Sequence, residues 1–354
     1  MKKVFLEAGI LCVLVAGFLL TACHSDDEDS WKIGIALSDY NTIERWAIDG
    51  ANMKTMLEHY GFTVDLQHVE RDVNEQISQI ESMITAGCKV IIVTAVDGTQ
   101  LDAALTKAAN AGIKVIAYDR LLMNTSAVDY YVTFNNTMVG TQQGQYIVDH
   151  LSDSATPQNM ELFTGPADDN NVNFYFNGAL AALNIGDNLD VPSGEMTMAA
   201  CGIANWSTSV AKTRMARLIN AQGYAPAGKK LDAVLCSNDA LAEGVVAALT
   251  EAGYTAADFP IITGQDAEIS AVKRIIAGTQ SMTVFKDTRL SAEAAVNVVR
   301  AIKDGTEGSL SFGAPYNNDV KEVKTISCET TVVDKDNYRK VLIDSGYYTE
   351  VELQ

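Results

Sequence analysis

Residues 90–120 read VIIVTAVDGTQLDAALTKAANAGIKVIAYDR. Val90 to Val96 is a run dominated by β-branched residues, the look of a strand buried on both faces. A helix is predicted from about Gln100 to Ala111, closed by Gly112. Lys114–Tyr118 reads as the next strand, and it runs into Asp119-Arg120. Strand, helix and strand at this spacing predict a crossover between parallel strands.

The alternation extends both ways along the chain. Ile33–Leu37 is predicted as a strand, and Asn41 to Glu44 has the spacing of a capping box for a helix reaching about Tyr60. Thr63–Leu66 follows as a strand, then a helix over Glu75–Ala86 with Ile77, Ile80 and Ile84 at helical spacing. Tyr130–Phe134 is the last strand of this series. A second series starts after Asn135, with helices over Val139–Leu151, Asn171–Leu183 and Leu241–Ala252. Its strands are Met160–Thr164, Asp232–Cys236 and Pro260–Thr263. Such alternation requires parallel sheets covered on both faces, so the fold class is α/β with two similar doubly wound domains.

In open α/β sheets, ligands bind beyond the carboxyl ends of the strands. Six predicted strand ends carry polar residues there: Ser38-Asp39, Asp119-Arg120, Asp168-Asp169-Asn170-Asn171, Ser237-Asn238-Asp239, Gln265-Asp266 and Lys286-Asp287. One such end is ordinary turn and capping chemistry. Six in register point to one site.

The N-terminus addresses the chain elsewhere. Lys2 and Lys3 precede an apolar segment that ends in Leu20-Thr21-Ala22-Cys23, followed by the acidic stretch Asp26-Asp27-Glu28-Asp29. This reads as a lipoprotein signal over residues 1–22, with Cys23 as the lipid-carrying residue and 23–30 as an acidic tether. The apolar run Ala8–Ala22 is 15 residues, short of the roughly 20 that span a bilayer. The expectation is an exported protein, lipid-anchored to a bacterial membrane and facing the periplasm or the exterior. About 330 residues remain after cleavage, enough for two ordinary domains.

The chain has 26 Lys+Arg against 45 Asp+Glu, a formal charge of −19. A polyanion needs a basic face, so nucleic acid is excluded as a partner. There is no Gly-x-Ser-x-Gly elbow, no His-Glu-x-x-His and no Cys-x-x-Cys. The four histidines show no ligand spacing. These observations favour a non-enzyme with no metal and no cofactor. Gly223 to Lys230 nearly matches a P-loop, but it lacks the final Ser/Thr and follows a helix, so a surface turn is expected. Cys88 and Cys236 read as small buried hydrophobes, and pairing among Cys88, Cys201, Cys236 and Cys328 stays open.

Arg offers a planar fork of donors, ionised Asp offers acceptors, and Asn offers both. Adjacent sugar hydroxyls, each donor and acceptor, match that set. Trp46 and Trp206 are candidates to cover the apolar face of a pyranose. Arg45, Arg120 and Lys286 balance Asp119, Asp169 and Asp266, which favours a neutral ligand.

Seven stretches carry a resemblance. They are Glu44-Arg45-Trp46, Gln79 to Ile84, Ala117-Tyr118-Asp119-Arg120, Asp169-Asn170-Asn171, Ser237-Asn238-Asp239, Gly264-Gln265-Asp266-Ala267 and Gly278 to Lys286. Together, in order and spacing, they resemble the periplasmic xylose-binding and multiple-sugar-binding proteins, type I substrate-binding proteins of ABC sugar importers. The resemblance runs from about Trp31 to the C-terminus. It implies sugar contacts at Arg45, Asp119, Arg120, Asp169, Asn171, Asn238, Asp266 and Lys286, with Trp206 as a stacking ring.

It also implies two lobes joined by a three-crossing hinge, with crossings near Phe134–Asn136, Met282–Lys286 and Tyr316–Val323. The lobes would then be 31–134 plus 286–319, and 135–285 plus 320–354. The implied ligand is a neutral aldose of xylose, glucose, galactose or arabinose type, bound by a monomer and delivered to an ABC transporter permease. A chemoreceptor or sensor kinase is the alternative partner. Sugar-responsive repressors share the fold, but a lipobox stands where their DNA-binding helices would be.

Overall fold

The computed structural model describes residues 31–38, 44–151 and 157–354. Cys23, the acidic tether, Asp39 and the Asn41 end of the capping box lie outside the described residues.

The first half alternates as predicted: β1 (Lys32–Leu37), α1 (Glu44–His59), β2 (Thr63–His68), α2 (Val73–Thr85), β3 (Val90–Val93), α3 (Asp102–Asn110), β4 (Lys114–Tyr118) and β5 (Tyr130–Phe134). All four residues of β3 are buried, which accounts for its unbroken apolar run. It is shorter than Val90–Val96 because Gln76 replaces a neighbouring strand. The Gln76 amide donates to the Thr94 carbonyl and accepts from the Val96 N–H.

The second half begins with α4 (Asn136–His150), β6 (Gln158–Phe163), α5 (Asn171–Leu183), β7 (Leu189–Asp190) and the short α6 (Met198–Cys201). It continues with α7 (Thr208–Gln222), β8 (Ala233–Cys236), α8 (Asp239–Glu251), β9 (Ile261–Ile262), α9 (Ile269–Ala277) and β10 (Met282–Lys286). Then α10 (Thr288–Asp304) returns to pack on α1 and β5. The chain ends through β11 (Tyr316–Asn317), β12 (Glu322–Cys328) and β13 (Thr330–Asp334).

Among the described residues the first sheet has seven strands, ordered β11-β12-β5-β4-β3-β1-β2. Only β11 runs antiparallel to its neighbour. The second sheet is ordered β7-β6-β8-β9 and is parallel throughout. A parallel bridge between Gln265 and Val284 places β10 beside it, and β13 lies antiparallel to β10. The fold is therefore α/β with parallel sheets, as expected.

Strand pairing corrects one predicted boundary. Lys324–Cys328 pairs in parallel with Tyr130–Phe134, so residues up to 328 belong to the first sheet. The third crossing falls between Cys328 and Thr330, where β12 hands over to β13, and not at Tyr316–Val323. The second falls just after β10, between Lys286 and Thr288.

Each sheet is sealed by its own apolar layer. Ile33, Ile35, Val90, Ile92 and Tyr118 meet α1 and α10 on one face of the first sheet. Phe163, Val234, Cys236 and Leu241 centre the core of the second half. Each such side chain contributes about 1.5–3 kcal/mol by leaving water. Helices α4 and α5 touch backbone to backbone, which a side chain at Gly140 would forbid: its Cβ would lie 1.8 Å from the Tyr175 carbonyl oxygen. That contact brings the N-terminal turn of α5 against the crossing at Phe134–Asn136.

The P-loop lookalike is a turn. Gly223 (φ 74°) caps α7, and a bridge joins Tyr224 to Lys229. Cys88, Cys201, Cys236 and Cys328 are all free thiols. Among the described residues no helix is long and apolar enough to cross a membrane.

Candidate functional site

A cleft of about 580 Å³ lies where the carboxyl ends of the two sheets face each other. Arg45, Trp46, Asp119 and Arg120 line it from the first half. Asp169, Trp206, Asn238, Asp266 and Lys286 line it from the second.

Backbone geometry aims several of these groups. Asp119 leaves β4 in the left-handed region at φ 61°, and Asp266 follows β9 at φ 94°. Asp tolerates that region better than most residues, so a carboxylate at each turn serves conformation as well as chemistry. Arg45 lies in the first turn of α1. Its guanidinium is 2.7 Å from Asp119, 3.3 Å from Asp49 and 3.9 Å from Asp266. The Lys286 ammonium is 2.7 Å from Asp266, and Arg120 is 3.5 Å from Asp169. One arginine thus stands between carboxylates from both halves.

Burial opposes the charge on Asp119, but Arg45, Lys286 and Arg120 outweigh it and hold the carboxyl below its usual range. On Asp169 burial wins over Arg120, and the carboxyl is pushed up. Among the described residues, two buried polar atoms of the cleft have no hydrogen-bond or ion-pair partner, Trp46 Nε1 and Gln265 Oε1. Unmet buried groups of this kind cost about 1–3 kcal/mol each. A ligand rich in paired donors and acceptors removes that cost.

The two tryptophans differ. The Arg45 guanidinium lies over the Trp46 ring, 4.6 Å from its centroid, and Arg120 lies 5.8 Å away. Cations cover that indole, so what it has left to offer is its N–H, which has no partner among the described residues. Trp206 sits at φ 55° in a kinked turn and packs against Gly165. It seals the core of the second half while also lining the cleft.

Asn238 caps α8, accepting from the Leu241 N–H at 3.0 Å. Capping and cleft roles coincide there, since its amide nitrogen stays available. Asn171 departs from expectation, for it does not line the cleft. It is buried at the seam, donating to the Asp119 carbonyl at 2.9 Å and accepting from Asn136 and Tyr131. Its carbonyl oxygen and one of its two N–H donors are engaged inside the protein.

The cleft also contains residues that the strand-end argument passed over. Arg71 and Asn205 meet across it at 3.0 Å. Tyr175 and Glu268 line it as well, and so does Gln265, which the strand-end argument named without proposing as a contact. Gln265 stands beside Asp266 in a stretch the resemblance quoted. Arg71 and Asn205 lie in irregular turns that no periodicity marks.

Residues 33–307 match the family described as a periplasmic binding protein domain. The chain is 40% identical to the multiple sugar-binding periplasmic receptor of Rhizobium radiobacter, over all of both chains. It is 33% identical to the D-xylose-binding periplasmic protein of Escherichia coli, covering 97% of this chain and 98% of that one. Among solved structures, an ABC transporter solute binding protein from Clostridium phytofermentans with bound β-D-glucose is 44% identical. It superposes with a TM-score of 0.85, covering 91% of this chain and 100% of the other.

Proposed function

The chain belongs to the periplasmic binding protein family, and from that premise we propose that it captures one neutral aldose per chain in the cleft. The sugar is of xylose, glucose, galactose or arabinose type and is handed on unaltered to an ABC transporter permease. The observation that carries this reading is Arg45, set between Asp119 of the first half and Asp266 of the second. A ligand between these groups is gripped from both sides at once, and neither half alone supplies the set. The relatives' sugars support the ligand class. Arg45, Asp119, Arg120, Asp169, Asn238, Asp266 and Lys286 are the proposed hydrogen-bonding residues, and Trp206 the ring that covers an apolar sugar face. The Cys23 lipobox supports a lipid-anchored location outside the cytoplasm. A second reading, presentation of the sugar to a chemoreceptor or sensor kinase, draws on the receptor named among the relatives.

Calorimetry against pentoses and hexoses tests the proposal, with expected affinity roughly micromolar or tighter, about −8 kcal/mol. Asp266→Ala is expected to lose about 2–5 kcal/mol of that, because the nearby cations lose a buried acceptor. Silence across the panel, or conversion of the sugar on long incubation, would sink the reading.

A further inference from the structure

We propose that Glu268 is a contact residue of the cleft, presenting an O–H to the bound sugar where every other proposed carboxyl presents acceptors. This rests on the sugar-binding reading above and adds a proton-bearing donor to it.

Glu268 is half-buried at the N-terminal edge of α9 and lines the cleft. Among the described residues, nothing bonds to its carboxyl group, and the side chain does not cap its own helix. Its surroundings are crowded with negative charge. Asp239 at the start of α8 is fully buried and takes hydrogen bonds from the Gln280 amide (2.8 Å), the Thr283 hydroxyl (3.0 Å) and the Glu268 N–H (3.0 Å). Asp266 lies two residues before Glu268, and Glu243 of α8 also faces it.

The neighbouring cations are committed elsewhere. Arg274 of α9 bonds the Gln280 side chain, the Asp239 carbonyl and Glu243. Lys286 and Arg45 face Asp266. Arg71 lines the same cleft and meets Asn205.

Burial raises Asp239 as well, to about 7, so the two carboxyls titrate as a pair; the three donors on Asp239 favour leaving the charge there and the proton on Glu268. Burial, then Asp239 and Asp266, push the Glu268 carboxyl up to about 8, against the pull of Arg274. The N-terminus of α9 favours the anion, but it is one partial charge against burial and two carboxylates. Below pH 8 the group is a neutral acid able to donate to a sugar oxygen. Above pH 8 it becomes a third negative charge beside Asp239 and Asp266, and the donor is lost.

The test is calorimetry with D-glucose on the full chain at pH 6, 7, 8 and 9, for the parent and Glu268→Gln. Glutamine keeps a donor and cannot titrate. Parent affinity is expected to fall about tenfold between pH 7 and 9 as the proton leaves, with proton uptake on binding near pH 8. Glu268→Gln should lose the fall, with the same affinity at pH 7 and pH 9 whatever its absolute value, and take up no proton. Carboxyl-¹³C NMR of glutamate-labelled protein, without sugar, should place the Glu268 midpoint near 8. Equal pH slopes in the two proteins, or a midpoint near 4.5 with sugar binding intact, overturn the proposal alone. A midpoint near 8 with no sugar bound by either protein overturns the sugar reading and this contact with it.

Discussion

The Asn171 side-chain amide donates to the backbone carbonyl of Asp119 at 2.9 Å, joining α5 of the second half to the end of β4 in the first. The same carbonyl accepts from the Tyr131 hydroxyl at 2.7 Å. This buried bond spans the two halves directly behind the cleft and holds Asp119 in its left-handed turn. Asn171→Ala removes it and leaves the Asn136 amide only the longer 3.4 Å bond to the Thr133 hydroxyl at the seam. Sugar affinity is expected to fall by about 1–3 kcal/mol, and small-angle scattering should show a more open protein at equal sugar concentration. Unchanged affinity and compactness would mean that the seam does not set closure.

Gly165 permits Trp206 to reach the cleft wall. A Cβ at position 165 would lie 2.3 Å from the indole ring. Gly165→Ala should displace the ring at a cost of about 1–3 kcal/mol of stability, read as a lower thermal midpoint. Sugar affinity should weaken in parallel if the indole covers the ligand. A lower midpoint with intact affinity would confine Trp206 to the core.

Two carboxyls next to Arg45 respond to pH with opposite sign. Asp119 is held below its ordinary value, so its contribution to stability is complete above the unfolded value and is lost as pH falls through the folded one. Asp49 is raised by burial from 3.8 to about 6 despite Arg45. For that group the folded state takes up a proton, so its share of stability declines as pH rises from about 4 to 6. Thermal midpoints from pH 3 to 7 should therefore show a shallower acid limb in Asp119→Asn. In Asp49→Asn the decline between pH 4 and 6 should disappear. Parallel curves for parent and variants would contradict both assignments.

Arg71 Nη2 donates to Asn205 Oδ1 at 3.0 Å across the cleft mouth. The pair is exposed and worth about 1 kcal/mol at most. Arg71→Ala should raise the sugar dissociation rate about fivefold, measured by stopped-flow fluorescence, with thermal stability unchanged. An unaltered rate would remove the pair from any role in retention.

Cys23→Ser should abolish lipid attachment, because only the thiol accepts the lipid. Fractionation is expected to find the variant off the membrane or stalled before processing. Retention identical to the parent's would exclude Cys23 as the anchor.

By itself, the sequence determined the fold class and most of the cleft. Parallel strands buried on both faces must be apolar along their length, so Val90–Val93 and Lys114–Tyr118 announce themselves, and their polar ends stand out by contrast. Asp119, Asp266 and Lys286 were legible for that reason. The tertiary structure alone decided what depends on contacts between distant segments. Residues Glu322–Cys328 join the first sheet because they pair with Tyr130–Phe134, a register no local pattern encodes. Asn171 and Asp169 sit two positions apart at the head of one helix, yet one turns to the seam and the other to the cleft. The direction of each side chain there is set by the opposing half, while the crowd of carboxylates around Glu268 is gathered within the second half where α8 meets the head of α9, which no spacing along a single element reveals.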